Sequence, residues 1–426
     1  MKTVLSKAKG LSANKLVRNI IIVASGSAGA QFINFLATPF ITRLFTPEAF
    51  GVFGAFISIV YILDPISAFC LPPAIILPKS DSEAKQVADL VFKYSIILSM
   101  LCMAVIYFGK ELILNVSTLA FSYHLLYLLP VIVFTTGLYR LSNQWLIRCG
   151  KYKYPSLILV IQAIIVSILK VSVGLLNPTY IYLILVASFG YFLQCVLIFY
   201  CAVKAGLRQW ISLGSGFISF RLIKKYKDFP LYVTPQVFLN TLTQSIPVLI
   251  LMTYFGPVYA GYYTLTRSVL SVPMRLLGVA VGDVFLPKMS NALNSKEKLD
   301  NLLKKATITL ASVGLGPYLL LIAFGPYLFG VVFGHDWVVA GEYARWLSLW
   351  SFSELLFIPS NKAILVISEQ RFFLLYSVFS VLLKVLSLLV GVFVLKTHLS
   401  TVILYSLVSA MLNFVLISIV YCKCMD

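Results

Sequence analysis

The sequence predicts an all-α polytopic membrane protein with about twelve transmembrane helices, arranged as two parallel-repeat six-helix bundles around a central cleft. Three observations carry this reading. First, 60% of the 426 residues are hydrophobic, only 12% are charged, and mean hydropathy is +0.94; a soluble domain carries about 25% charged and about 45–50% apolar residues. Second, the apolar stretches run unbroken, as in Ile181–Ala187 and Val378–Val394, without the alternation of a barrel strand. Third, Lys and Arg are segregated to alternate connections. A multidomain soluble enzyme, an acidic disordered chain and a disulfide-rich secreted module are all excluded.

A span needs roughly 20 apolar residues, and twelve can be drawn in order: 19–42, 50–77, 88–108, 121–146, 156–176, 179–203, 230–255, 261–286, 306–329, 343–366, 373–395 and 400–421. An even number returns the C-terminus to the side of the N-terminus. Outside the spans, that side holds 23 Lys and Arg, and the opposite side holds three: Arg43, Lys110 and Lys396. Cytoplasmic connections keep basic residues, so both termini are expected in the cytoplasm. Topology thus accounts for the net charge of +19 without a nucleic-acid partner. The basic start, from Lys2 to Arg18, reads as a cytoplasmic N-terminus with no cleavable signal.

The two halves echo one another. Phe45-Thr-Pro47-Glu-Ala-Phe-Gly51-Val-Phe53 follows the first span, and Phe255-Gly-Pro257-Val-Tyr-Ala-Gly261-Tyr-Tyr263 follows the seventh. Leu77-Pro78-Lys79 ends the second span and Leu286-Pro287-Lys288 the eighth; Leu169-Lys170-Val171 in the fifth is matched by Leu383-Lys384-Val385 in the eleventh. Three matches in order, at offsets of 209 to 214 residues, mark an internal repeat. Six spans per repeat make the repeats parallel, related by an axis along the membrane normal. The expected organisation is a first lobe over 1–203, a basic cytoplasmic linker over 204–229, and a second lobe over 230–426.

Gln31-Phe-Ile-Asn34-Phe-Leu-Ala-Thr38-Pro39-Phe-Ile-Thr42-Arg43-Leu-Phe-Thr-Pro47-Glu48-Ala-Phe50-Gly51-Val-Phe53, with Leu77-Pro78-Lys79-Ser80-Asp81 after the second span, resembles the first hairpin of the polysaccharide (O-antigen) flippases of the Wzx type. These belong to the multidrug/oligosaccharidyl-lipid/polysaccharide (MOP) exporter superfamily. The close match covers about the first 85 residues, and the twelve-span plan extends it over the chain. The resemblance implies a multi-pass protein of the bacterial inner membrane. Its expected role is to move undecaprenyl-diphosphate-linked repeat units of O-antigen, capsule or exopolysaccharide by alternating access, coupled to H⁺ or Na⁺. A polysaccharide polymerase and a chain-length regulator are the implied partners, beside membrane lipid and the lipid-linked cargo. The related lipid II flippases usually have fourteen spans, and this chain has no room for the extra pair.

Polar residues at membrane depth are expensive and point to function. In the first span Gln31, Asn34 and Thr38, with Ser27 and Thr42, fall within an arc of about 80° at 100° per residue. In the seventh, Gln236, Asn240 and Gln244, with Thr243, fall within about 100°. Two polar stripes on repeat-equivalent helices are expected to face a wet cleft; interhelical glue within a lobe is the alternative. Among the basic residues, Lys170, Arg267, Arg275 and Lys384 lie deep, whereas Lys93, Arg140, Arg345 and Lys362 sit within snorkelling reach of a span end. The deep acids are Asp64, Asp283 and Glu354. A cationic excess suits a cargo that brings its own anion, and Arg forks onto phosphate oxygens. Simple helix-packing ion pairs, such as Asp64 with Arg275, are the competing reading. Asp64, before the helix-breaking Pro65, and Glu354 are the candidate ion-coupling sites.

No catalytic residues, metal site or cofactor are expected. There is no P-loop, the longest connection is about 26 residues, and terminal Cys422-x-Cys424 has no His nearby. Trp337, Trp346 and Trp350 are candidates to stack on sugars, against a membrane belt as their ordinary role. The alternatives to a flippase are a drug or cation antiporter of the same superfamily, which would need an acidic cavity, and a membrane polysaccharide polymerase, which would need a larger extracytoplasmic loop.

Overall fold

The computed structural model describes residues 25–110, 123–207, 220–294, 299–367 and 369–425. Among the described residues, twelve long helices follow one another. The first lobe contains α1 (25–44), α2 (Pro47–Leu63), α3 (Asp81–Phe108), α4 (Leu128–Arg148), α5 (Lys153–Leu176) and α6 (Tyr180–Lys204). The second contains α7 (Thr234–Tyr254), α8 (Pro257–Asn294), α9 (Leu299–Phe333), α10 (Val338–Val366), α11 (Gln370–Val390) and α12 (His398–Met425). Among the described residues there is no strand, and nine helical segments are long and apolar enough to cross a membrane. Two of the helices outside that set, α8 and α10, carry the charges Arg267 and Glu354.

Local chemistry sets the helix ends. Thr46 caps α2, its hydroxyl accepting the Ala49 N–H at 3.3 Å, and Pro47 fills the first turn, where its missing N–H costs nothing. Ser80 caps α3 in the same way by accepting from Glu83. The second span is broken where the Asp64–Pro65 pair falls: α2 stops at Leu63 and the chain continues as two short 3₁₀ turns, Ile66–Ala68 and Pro72–Ile75. Ser67 closes the turn on the Asp64 carbonyl twice, with its hydroxyl at 2.7 Å and its backbone N–H at 3.2 Å. Phe69 and Cys70 between the turns adopt φ of 47° and 48°, a left-handed conformation costly for side chains with a Cβ.

The lobes meet where the two repeated hairpins turn. Gly51 lies so close to α8 that a Cβ there would stand 1.7 Å from the Pro257 carbonyl oxygen, and a Cβ on Gly261 would stand 1.9 Å from that of Pro47. The repeated P-x-x-x-G is therefore a reciprocal contact: each glycine seats the proline of the other lobe. Around it, Val52, Ala55 and Phe56 of α2, Leu129 and Ile132 of α4, Leu251 of α7 and Tyr263 of α8 form one core shared by both lobes. A second shared core joins Phe45, Phe50 and Leu183 to Leu265, Phe333 and Trp337, with the Trp337 indole N–H donating to the Thr42 carbonyl at 2.9 Å.

At the opposite end, where the α6–α7 linker lies, each lobe keeps a core of its own. Leu71, Ile75, Val91, Leu141, Trp145 and Ile198 form one; Phe285, Met289, Leu303, Ile364 and Leu416 form the other. The start of α7 still reaches the first lobe there, with Thr234 beside Cys70. Linker residues Leu222 and Tyr226 are buried in the first lobe's core. Lys225 and the Tyr226 hydroxyl both donate to Glu83, and this bond raises Lys225 above the ordinary lysine pKa and holds its charge. The molecule is fused at its hairpin end and divided at its linker end.

Candidate functional site

Two clusters of charge lie at membrane depth, one in each lobe. In the first, Arg140 of α4 grips Asp64 at the end of α2 with a two-pronged fork: Nε donates to Oδ1 at 3.0 Å and Nη2 to Oδ2. Arg140 therefore does not snorkel, and it takes the place that Arg275 holds in the competing reading of Asp64. Distance to the nearest span end is a poor guide when a buried carboxylate stands closer than the water does. The Arg275 and Asp283 side chains fall outside the described residues.

The Asp64–Arg140 pair forms one wall of a cavity of about 270 Å³ between α2, α4 and α6, with Tyr139, Asn143, Gln144, Tyr191 and Gln194 around it. Asn143 and Gln144 follow Arg140 by three and four residues, which places all three on one face of α4. The break at Pro65 makes room for the cavity, whose edge includes Pro72 and Pro73.

In the second lobe, Arg267 of α8 sits over Trp350, its guanidinium carbon 3.8 Å from the ring centroid. A desolvated contact of this kind contributes roughly 2 kcal/mol. Its Nη1 reaches Glu354 at 3.4 Å and the Ser351 hydroxyl at 3.3 Å. Lys384 of α11 approaches the same indole at 5.8 Å. Glu354 pairs with Arg267 and leaves Lys384 without a carboxylate partner. In the first lobe Lys170, the repeat partner of Lys384, stands 4.9 Å from the Phe53 ring; among the described residues neither lysine has a carboxylate within ion-pair distance.

The polar stripes are placed as follows. On α1, Asn34 is exposed, its amide oxygen 3.5 Å from the Ser167 hydroxyl of α5; Thr38 donates back to the Asn34 carbonyl at 2.8 Å, and Gln31 is half-buried. On α7, Asn240 and Gln244 are exposed and Gln236 half-buried. Thr243 is buried and its carbonyl accepts the Tyr405 hydroxyl at 2.8 Å. Two of the three tryptophans correct the belt reading: Trp337 and Trp350 are interior, at 1% and 0% exposure, while Trp346 is half-buried. Trp337 carries the inter-lobe seal and Trp350 carries Arg267.

Sequence reasoning missed Arg140 and the amides beside it. One signal was available: Arg140 and Glu354 are 214 residues apart, the same offset as Lys170 and Lys384. The fourth helix of each lobe thus carries a charge at the same place, with opposite sign.

The two-lobed fold of twelve helices, fused at one end and charged at its centre, is that of MOP-superfamily transporters. It superposes on an inward-facing multidrug resistance MATE family transporter of that superfamily with a TM-score of 0.69, at 15% identity over 92% of this chain and 94% of that one. For a lipid II flippase, MurJ, in an inward closed conformation, the TM-score is 0.70 at 16% identity, covering 95% and 90%. For an outward-facing MATE transporter it is 0.59 at 17% identity, covering 96% and 94%. No curated protein sequence matches the chain. Residues 40–342 match the family described as polysaccharide biosynthesis protein, and the chain belongs to that family.

Proposed function

We propose that the protein is a flippase carrying undecaprenyl-diphosphate-linked oligosaccharide repeat units across the bacterial inner membrane by alternating access, with both termini in the cytoplasm. The observation that carries the reading is the cationic cluster of the second lobe. Arg267 and Lys384 share one indole, and the nearby carboxylate, Glu354, pairs with Arg267 alone, leaving positive charge unmatched at membrane depth. Such charge is costly unless the ligand neutralises it, and a lipid diphosphate does so. Membership of a polysaccharide biosynthesis family supports a glycan on that diphosphate.

Arg267, Arg275, Lys170 and Lys384 are the bases assigned to the diphosphate, and the stripes of α1 and α7 the surfaces assigned to the glycan. Asp64 and Glu354 are the acids assigned to a coupling H⁺ or Na⁺; each is held by an arginine, so an ion and the arginine compete for one carboxylate. A drug or cation antiporter is the second reading, favoured by the fold shared with MATE transporters. It is opposed by the same unmatched positive charge, which would repel a cationic drug.

Deletion of the gene, followed by analysis of surface polysaccharide and of lipid-linked precursors, tests the reading. Intact precursor held on the cytoplasmic face, with loss of surface polymer, is the expected result. Normal surface polysaccharide in the deletion strain would overturn it.

A further inference from the structure

We infer that the first-lobe cavity is a binding site for one neutral sugar ring of the cargo, with the Asp64–Arg140 pair as its wall. This deepens the flippase reading and rests on it. The argument is by charge and by hydrogen-bonding capacity. While the fork is closed, Asp64 and Arg140 cancel one another's charge, and a charged ligand has to displace one partner before it can bind the other. The wall is therefore neutral as a whole, yet rich in polar atoms. Asn143, Gln144 and Gln194 line it, and among the described residues none of these carboxamides has a hydrogen-bond partner. Each offers a donor and an acceptor, which matches hydroxyls that both give and accept.

All three are half-buried and open to the cavity, free to exchange hydrogen bonds with hydroxyls that enter it. Tyr139 and Tyr191 add ring faces for the apolar C–H side of a pyranose. The volume of about 270 Å³ is that of about nine liquid waters, the room of a single sugar and not of a whole repeat unit.

The position fits the route. Arg140 lies eight residues before the end of α4 and Gln194 ten before the end of α6, about 12 and 15 Å from the linker end at 1.5 Å per residue. In that half the lobes keep separate cores. The first lobe then takes sugar, and the second, with its excess of cations, takes the diphosphate.

The test uses the full chain in lipid nanodiscs, titrated with undecaprenyl diphosphate alone and with the same lipid bearing one glucose, galactose or N-acetylglucosamine. At least one sugar-bearing lipid is expected to bind about tenfold tighter than the bare lipid, equivalent to about 1.4 kcal/mol. Gln144→Leu and Gln194→Leu, which keep side-chain bulk and suit a membrane interior, should each erase most of that ratio while bare-lipid affinity holds. Should either fail to fold, as read by thermal unfolding, Asn143→Leu reads the same ratio. Arg267→Gln should weaken every lipid and leave the ratio intact. A ratio that persists in folded amide variants, or a wild type that prefers no sugar while binding bare diphosphate, overturns the sugar site and leaves the flippase standing. A wild type that binds none of the lipids overturns both.

Discussion

The Asp64–Arg140 and Arg267–Glu354 pairs hold related places with opposite polarity. In the first lobe the acid is on the second helix and the base on the fourth; in the second lobe Arg267 is on the second helix and Glu354 on the fourth. Each pair pins the same two helices of its lobe, so one device survives with its polarity inverted. Removing one partner of a well-buried pair costs about 3–5 kcal/mol, because the other charge is left stranded. Here the side chains of Arg140 and Asp64 are 37% and 26% exposed, so Arg140→Gln should cost less, about 2 kcal/mol after screening. Asp64→Asn added to it should recover most of the loss in thermal unfolding; a double variant as unstable as the sum of the singles would show that the pair does not act as a unit. The bases assigned to the diphosphate behave differently: at least two of Lys384→Ala, Lys170→Ala, Arg267→Ala and Arg275→Ala should abolish export with the protein still present in the membrane. Normal export by all four would remove the anion-binding role. At this scale the sequence was partly legible. Pro65 after Asp64 announced a broken helix, and the break is there. The partner of Asp64 was not readable, because Arg140 is 76 residues away and hydropathy reports depth along one helix, not proximity between two.

Helices α2 and α8 show why a motif can be legible as a repeat and illegible as a contact. F-x-P-x-x-x-G-x-aromatic appears twice, which established the two halves; nothing in one dimension says that the copies touch. In the fold each glycine lies against the other copy's proline carbonyl, at distances that no Cβ can occupy. Gly54 extends the crossing, since a Cβ there would meet the Thr264 hydroxyl at 2.1 Å. The crossing is thus the seal of the hairpin end, and even one methyl group forces the lobes apart. Gly51→Ala and Gly261→Ala should shift the population away from the conformation closed at that end. In a background free of native cysteines, a thiol at Thr264→Cys, protected in the parent, should react with a membrane-impermeant reagent applied from the hairpin side, and export should fall. Unchanged protection with normal export would show that the crossing does not gate the path.

Over the whole molecule, one end is fused and the other divided, and the positive charge lies between them. Transport in either direction then requires the two shared cores to part and the two separate cores to meet, and the energy for that cycle has to come from outside the chain. The membrane potential supplies about 2.3 kcal/mol per charge per 100 mV. An anionic headgroup moving outward through an inside-negative membrane moves downhill, and the empty, positive cleft returning inward does so as well. Under the proposed mechanism ion exchange would add to this through Glu354: a cation on the acid and a diphosphate on Arg267 would be linked through the one contact between those two side chains. The two drives separate in proteoliposomes loaded with lipid-linked saccharide. An inside-negative potassium diffusion potential should accelerate outward transport, and reversing its sign should slow it. An imposed pH or Na⁺ gradient should act in addition, and Asp64→Asn or Glu354→Gln should lower transport and flatten that second dependence while leaving the first. Wild-type transport that ignores both gradients removes ion exchange and leaves the potential as the drive. Transport that ignores the potential as well leaves mass action, with polymerisation outside the membrane consuming the product.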